Sequence, residues 1–212
     1  MGWIVALVAG YLCGTLPTAD LAARLSTRTS GGGAVDLRTA GSGNPGATNV
    51  AALLGARWGV FVLIGDIAKA VVASLIGSVL AGGSAASWAA TAAVAGHCWP
   101  VWTRFRGGKG VACSAGQCGA VFPAYFPIDL FVAYATARWK RQAYAATVAA
   151  SACWVLFATL WWAFDWPNLW GPRHTGAVAL SAAASSAIIL IKFEVARRLL
   201  SSRRPEQLVL SA

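Results

Sequence analysis

Seven apolar runs divide this chain, at residues 3–21, 58–80, 85–102, 111–125, 127–137, 143–164 and 175–191. A helix needs about 20 apolar residues to cross the hydrocarbon of a bilayer, and fewer where protein covers it. Of the 212 residues 58% are hydrophobic and only 11% are charged, against about 25% charged in a soluble domain. The expected fold is therefore an all-α integral membrane protein of about seven transmembrane helices. One polytopic domain would fill residues 1–200, with a tail at 201–212. The fourth and fifth runs are short and flanked by Pro123 and Pro127, as tilted, broken or re-entrant segments are when protein covers their backbone. The first run starts at Gly2 without a basic leader, so it reads as a span and not as a cleavable signal.

Basic residues give the orientation. Arg24, Arg28 and Arg38 follow the first run, and Arg104, Arg106 and Lys109 follow the third. Arg138, Lys140 and Arg141 follow the fifth; Lys192, Arg197, Arg198, Arg203 and Arg204 follow the seventh. The intervening connections hold only Arg173. By the positive-inside rule the N-terminus is outside and the C-terminus cytoplasmic, as in a multi-pass protein of the plasma (inner) membrane. The net charge of +10 is scattered between apolar runs, which suits anionic head groups or phosphates. Nucleic acid is excluded as a partner, because no motif of that repertoire is present.

Cys13, Cys98, Cys113, Cys118 and Cys153 form neither a disulfide framework nor a zinc set and read as small buried thiols. No metal and no cofactor is expected, and nothing names a protein partner. Trp161, Trp162, Trp166 and Trp170 gather at the outer end of the sixth run as an interfacial belt.

Two polar, glycine-rich stretches interrupt the apolar pattern, and the orientation puts both on the cytoplasmic face. Residues 36–49 read Asp-Leu-Arg-Thr-Ala-Gly-Ser-Gly-Asn-Pro-Gly-Ala-Thr-Asn, and residues 107–110 read Gly-Gly-Lys-Gly. Glycine lets backbone amides approach an anion, and Lys109 adds a point charge. The first stretch is too dense in polar side chains for a simple linker, and Thr48 or Asn49 is a candidate cap for the next helix. The second is not a Walker motif, since Thr103 stands where its first glycine belongs and Gly110 follows the lysine. His97 precedes Cys98, Trp99 and Pro100; the residue five beyond it is Trp102, so a His-x-x-x-x-Asp dyad is absent. A structural role for His97 stands beside a substrate contact. Asp66 and Lys69, three apart within the second run, are able to pair on one helix or to help form a polar site.

These residues resemble the bacterial acyl-phosphate-dependent glycerol-3-phosphate acyltransferases, the PlsY family. The likeness runs through Asp36, Arg38, residues 41–44 and 46–49, Asp66, Lys69, Gly96, His97, Pro100, Phe105 and residues 107–112, and it extends over nearly the whole length. It implies transfer of a fatty acyl group from acyl phosphate to the 1-hydroxyl of glycerol 3-phosphate at the membrane. It assigns Ser42 and Lys109 to the catalytic centre, Ser42 as a positioning group and not a nucleophile. It assigns Gly43, Asn44, Asn49, His97, Gly107, Gly108, Gly110 and Lys192 to substrate binding. Departures fall on the acceptor side. Ala52 replaces an arginine, a segment containing Tyr144 replaces a serine-containing one, Lys192 replaces a histidine and Val195 an asparagine. The rival class is a silent paralogue that binds acyl phosphate or lipid, or serves as a partner subunit. A transporter would want more polar groups at mid-bilayer than Asp66 and Lys69.

Overall fold

The structure, a computed structural model, describes residues 1–30, 33, 35–140, 142–167 and 176–209. Arg141, Trp170, Arg173, Thr175 and the last three residues of the expected tail lie outside the described residues. Eight α-helices run through the described part: α1 (Gly2–Gly14), α2 (Thr18–Ser30), α3 (Ala47–Leu54), α4 (Ala56–Cys98), α5 (Val111–Val121), α6 (Phe126–Lys140), α7 (Ala143–Ala163) and α8 (Gly176–Val209).

Four stretches are long and apolar enough to cross a membrane: Gly2–Thr29, Ala56–Thr103, Ala143–Ala163 and Gly176–Arg198; Val111–Val121 is a shorter apolar helix. The second stretch is more than one crossing. A straight helix of 43 residues would reach about 65 Å, twice the hydrocarbon thickness. The backbone leaves helical geometry at Ala81 and Gly82, and α4 folds back on itself there. Gly77 then lies against the backbone of Ala85, and Ala70 and Ala73 from one limb join Ala93, Val94 and Cys98 from the other in one core cluster. The runs expected at 58–80 and 85–102 are thus a helical hairpin without an intervening loop.

The expected run at 3–21 lies within the first of these stretches but is not one continuous helix. It breaks at residues 15–17, where Pro17 lacks the amide that would continue the ladder and biases Leu16 away from helical geometry. Beyond the break the chain forms a second helix, α2, with Asp20 in its first turn and Arg28 in its last, charges that complement the helix dipole. α1 packs on the second limb of α4 through a stripe of small residues. A Cβ at Gly10 would strike the backbone of Ala89, and one at Gly14 the backbone of Ala93. Lipid tails give apolar helices no hydrophobic reason to associate, so close packing through such stripes has to hold them.

Away from this contact, α5, α7 and α8 enclose an aromatic slab in which Phe122 stacks on Trp161 at 4.0 Å and Tyr125 on Trp154 at 5.8 Å. Trp161 is fully buried here while Trp162 and Trp166 are exposed, so the belt expected of all four tryptophans loses Trp161 to the core. Between α4, α5 and α8 the buried Gln117 amide donates to Thr91 Oγ1 at 2.9 Å, and the Thr91 hydroxyl lies within donating reach of the Ser87 and Ser181 carbonyls. Buried side chains at this depth need such partners.

Candidate active site

The first glycine-rich loop is organised from inside by Asn49. Its amide nitrogen donates to the carbonyls of Leu37 at 3.2 Å and Ala40 at 3.1 Å, and its oxygen accepts from the Ser42 backbone at 2.9 Å. Gly41 sits at φ +60°, where a Cβ would collide with that same Asn49 oxygen. Asn49 is buried in α3, so the expected cap is corrected: the helix starts at Ala47 with Gly46 as its N-cap, and neither Thr48 nor Asn49 caps it. Asn44 lies half-buried with its amide against Gly46. Ser42 is exposed, and among the described residues no base is bonded to its hydroxyl.

The second loop follows the end of α4 and a short 3-10 turn, Val101–Thr103. Two of its expected phosphate-binding amides are already committed: Gly107 donates to the Cys98 carbonyl at 3.2 Å and Gly108 to the His97 carbonyl at 3.1 Å. Lys109 is half-buried, and Gly110, buried against Cys98, Val94 and Ile189, is the N-cap of α5 at φ +87°. Gly108 packs so close to the His97 ring that a Cβ would overlap Nε2.

The Lys109 ammonium lies over the Phe193 ring, 4.3 Å from its centroid. Loss of water around it pushes its pKa below the usual lysine range. From α8 Lys192 donates to the Cys98 carbonyl at 2.9 Å, a cation at a helix C-terminus, where it is favoured. α8 therefore braces the second loop from one side.

Arg38 braces it from the other. Its guanidinium grips Asp20 with two bonds of 2.6 and 2.9 Å, and its Nε donates to the Arg106 carbonyl at 2.9 Å. The hydrogen bond to Asp20 holds Arg38 charged, above its ordinary pKa. One side chain thus ties the first loop, α2 and the second loop together. They surround a cleft lined by Thr15, Thr18, Asp20, Arg38, Lys69, His97, Gly107 and Gly108.

Beneath the cleft lies the Asp66–Lys69 pair, its atoms 2.8 Å apart. Asp66, Lys69 and His97 are 1%, 5% and 7% exposed. Asp66 also accepts from the Thr18 hydroxyl at 2.6 Å, Lys69 donates to the Leu16 carbonyl at 3.0 Å, and His97 Nδ1 lies 3.5 Å from Asp66. Removing one member of a buried pair costs about 3–5 kcal/mol, because the other charge is left unpaired. Of the two roles left open by the sequence, the pairing is present, and Lys69 also lines the cleft. Thr18 and Asp20 escaped sequence reasoning; two polar residues directly after Pro17, inside an apolar run, were the available signal.

A family model for glycerol-3-phosphate acyltransferase matches residues 4–202. This chain belongs to that family. It is 37% identical over 200 residues to the glycerol-3-phosphate acyltransferase of Bradyrhizobium sp. (strain BTAi1), covering 92% of this chain and 90% of that protein. It is 41% identical over 136 residues to that of Exiguobacterium sibiricum, an alignment spanning 64% of this chain and 63% of the relative. Among solved structures, PlsY (YgiH), an integral membrane glycerol 3-phosphate acyltransferase in its glycerol 3-phosphate form, superposes with a TM-score of 0.77 at 30% identity, covering 96% of this chain and 94% of that one. The lysophosphatidic acid form of the same protein gives 0.77 at 29%. These relatives support an acyltransferase function and an all-helical membrane architecture.

The positions where this family member departs from the pattern lie apart from the cleft lining. Ala52 is exposed on α3. Tyr144 and Val195 are exposed and, with Leu190, Ile191, Glu194 and Arg198, line an open groove between α7 and α8. The Tyr144 ring lies 5.9 Å from Phe193, which links the groove to Lys109.

Proposed function

We propose that this chain moves a fatty acyl group from acyl phosphate to the 1-hydroxyl of glycerol 3-phosphate, giving 1-acyl-glycerol 3-phosphate for phospholipid synthesis. The observation that carries this reading is the joining of both glycine-rich loops by Arg38 over one cleft, lined by Gly107 and Gly108 of the second loop, next to Lys109 in the chain. Acyl phosphate is a mixed anhydride with phosphate as leaving group, so no enzyme-bound acyl intermediate is needed. The hydroxyl oxygen attacks the acyl carbon, the carbonyl–phosphate bond breaks, and a substrate phosphate takes the hydroxyl proton. The protein supplies position and charge. Lys109, Gly110 and the start of α5 receive the donor phosphate, and Ser42, Gly43 and Asn44 orient it from the first loop. In this reading Lys192 is the remaining donor toward the acceptor phosphate, and Ala52 and Val195, which offer no phosphate contact, weaken acceptor binding.

Seven crossings, with the N-terminus outside and both loops cytoplasmic in the inner membrane, complete the reading; the distribution of basic residues supports it. Cysteine introduced at Gly83 should react with an impermeant thiol reagent from outside, and cysteine near Ser30 should not; the reverse pattern overturns the orientation. For the activity, purified protein given acyl phosphate and labelled glycerol 3-phosphate should release phosphate and labelled 1-acyl-glycerol 3-phosphate in equal amounts. Binding of acyl phosphate without turnover would instead favour a silent paralogue, the reading that the changes at Ala52 and Val195 support.

A further inference from the structure

The cleft has a floor, and its wiring assigns a role to two residues that the reaction itself does not use. Asp66 receives the Thr18 hydroxyl at 2.6 Å and the Lys69 ammonium at 2.8 Å, with His97 Nδ1 3.5 Å away. Each of these partners reaches a different part of the cleft. Thr18 opens α2, two residues before Asp20, which grips Arg38. Lys69 holds the Leu16 carbonyl in the break between α1 and α2. His97 accepts the Gly108 amide through its carbonyl and packs its ring on the same glycine. Thr18 and Gly108 share no direct hydrogen bond; on the buried side of the cleft they meet through the Asp66 carboxylate, by way of Thr18 on one hand and His97 on the other.

We propose that Thr18 and Asp66 are positioning residues that set the separation between the α1–α2 corner and the Gly107–Gly108 turn, and so the width of the substrate cleft. A carboxylate this deep needs its hydrogen bonds, and from beneath the cleft it adds a buried tie to those that Trp102 makes to Thr15 at 3.0 Å and Arg38 to Asp20 and Arg106. Catalysis that rests on positioning two phosphates is sensitive to such shifts, since displacement by about 1 Å is able to cost a hundredfold in rate. This inference rests on the acyl-transfer reading.

The test is a double-variant cycle in the full-length protein. Thr18→Val keeps shape and removes the donor, Thr18→Ser keeps the donor, and Asp66→Asn removes the charge. Thr18→Val should lower kcat/KM for acyl transfer about tenfold, as expected for losing a hydrogen bond to a charged group, and Thr18→Ser should restore it. In the Asp66→Asn background Thr18→Val should cost little more, because neighbours acting through one contact are not additive. Hydrogen exchange gives a readout independent of turnover. In Thr18→Val the amides of Gly107 and Gly108 should exchange faster while those of α7 keep the wild-type rate. Additive kinetic losses, or unchanged exchange at Gly107 and Gly108, would overturn the positioning role. A wild-type protein without turnover would sink the acyl-transfer reading alone, and the exchange result would still decide whether Thr18 and Asp66 hold the loop.

Discussion

The cleft floor and the groove between α7 and α8 are built on opposite principles. In the cleft every charged side chain is spoken for: Arg38 on Asp20 and Arg106, Lys69 on Asp66 and Leu16, Asp66 on Thr18. In the groove the charges are Glu194 with Arg197 and Arg198, one turn apart on an exposed helix face. Buried ion pairs punish the loss of one partner, whereas exposed pairs contribute little. The difference teaches where sequence is free to drift. Of the residues matching the family pattern, Asp66, Lys69 and His97 are held by one another and Arg38 by Asp20 and Arg106, whereas the departures at Tyr144 and Val195 lie on an exposed surface.

The contrast breaks most readily at Gly108. Gly108→Ala puts a methyl group on the His97 ring, so either the loop or the histidine must move. Activity should fall about a hundredfold, the scale set by a displacement of about 1 Å; a rate close to wild type, measured by phosphate release, would show that the loop geometry is incidental. Next in size is Lys109→Ala, which should weaken the acyl donor about ten- to a hundredfold, the scale of a lost charge-assisted hydrogen bond. Its pH dependence has a fixed sign. The binding form is the ammonium, and its pKa is lowered by burial. Donor affinity should therefore be full at low pH and fall as pH rises through a value below the usual lysine range of about 10.4. The alkaline limb should vanish in Lys109→Ala.

At the positions that depart from the family pattern the effects should be smaller and of opposite sign. Ala52→Arg, Lys192→His and Val195→Asn, combined, should raise kcat/KM for glycerol 3-phosphate a few fold, about 1 kcal/mol of recovered binding. They are tested as a set because substitutions proposed to act on one substrate need not add independently. Smallest of all, Glu194→Gln should leave kinetics and thermal unfolding unchanged, since its partners are exposed arginines.

Most of the helical order was legible because membrane spans announce themselves by length and apolarity. The break at Ala81–Gly82 was anticipated as a gap between runs, since Gly82 and Gly83 stand there, although not as a hairpin without a loop. The corner after α1 was missed: Leu16 and Leu21 kept the run apolar while Pro17 turned it. For the site, the glycines and Lys109 stood out in sequence, but which amides remain available did not. That depends on Gly107 and Gly108 lying beneath the end of α4, a contact between chain neighbours about ten residues apart whose geometry no spacing encodes. Thr18 and Asp20 were hidden for the same reason, their partners at Asp66 and Arg38 being 48 and 18 residues away.

The most direct measurement is the initial rate of labelled 1-acyl-glycerol 3-phosphate formation by purified protein, with both substrates varied in the wild type, Lys109→Ala and the triple Ala52→Arg, Lys192→His, Val195→Asn protein. A retained donor side and a weakened acceptor side predict that Lys109→Ala raises the KM for acyl phosphate alone and the triple variant lowers the KM for glycerol 3-phosphate alone. A triple variant that leaves the acceptor constant untouched, or a wild type that forms no product while still binding acyl phosphate, would contradict the account.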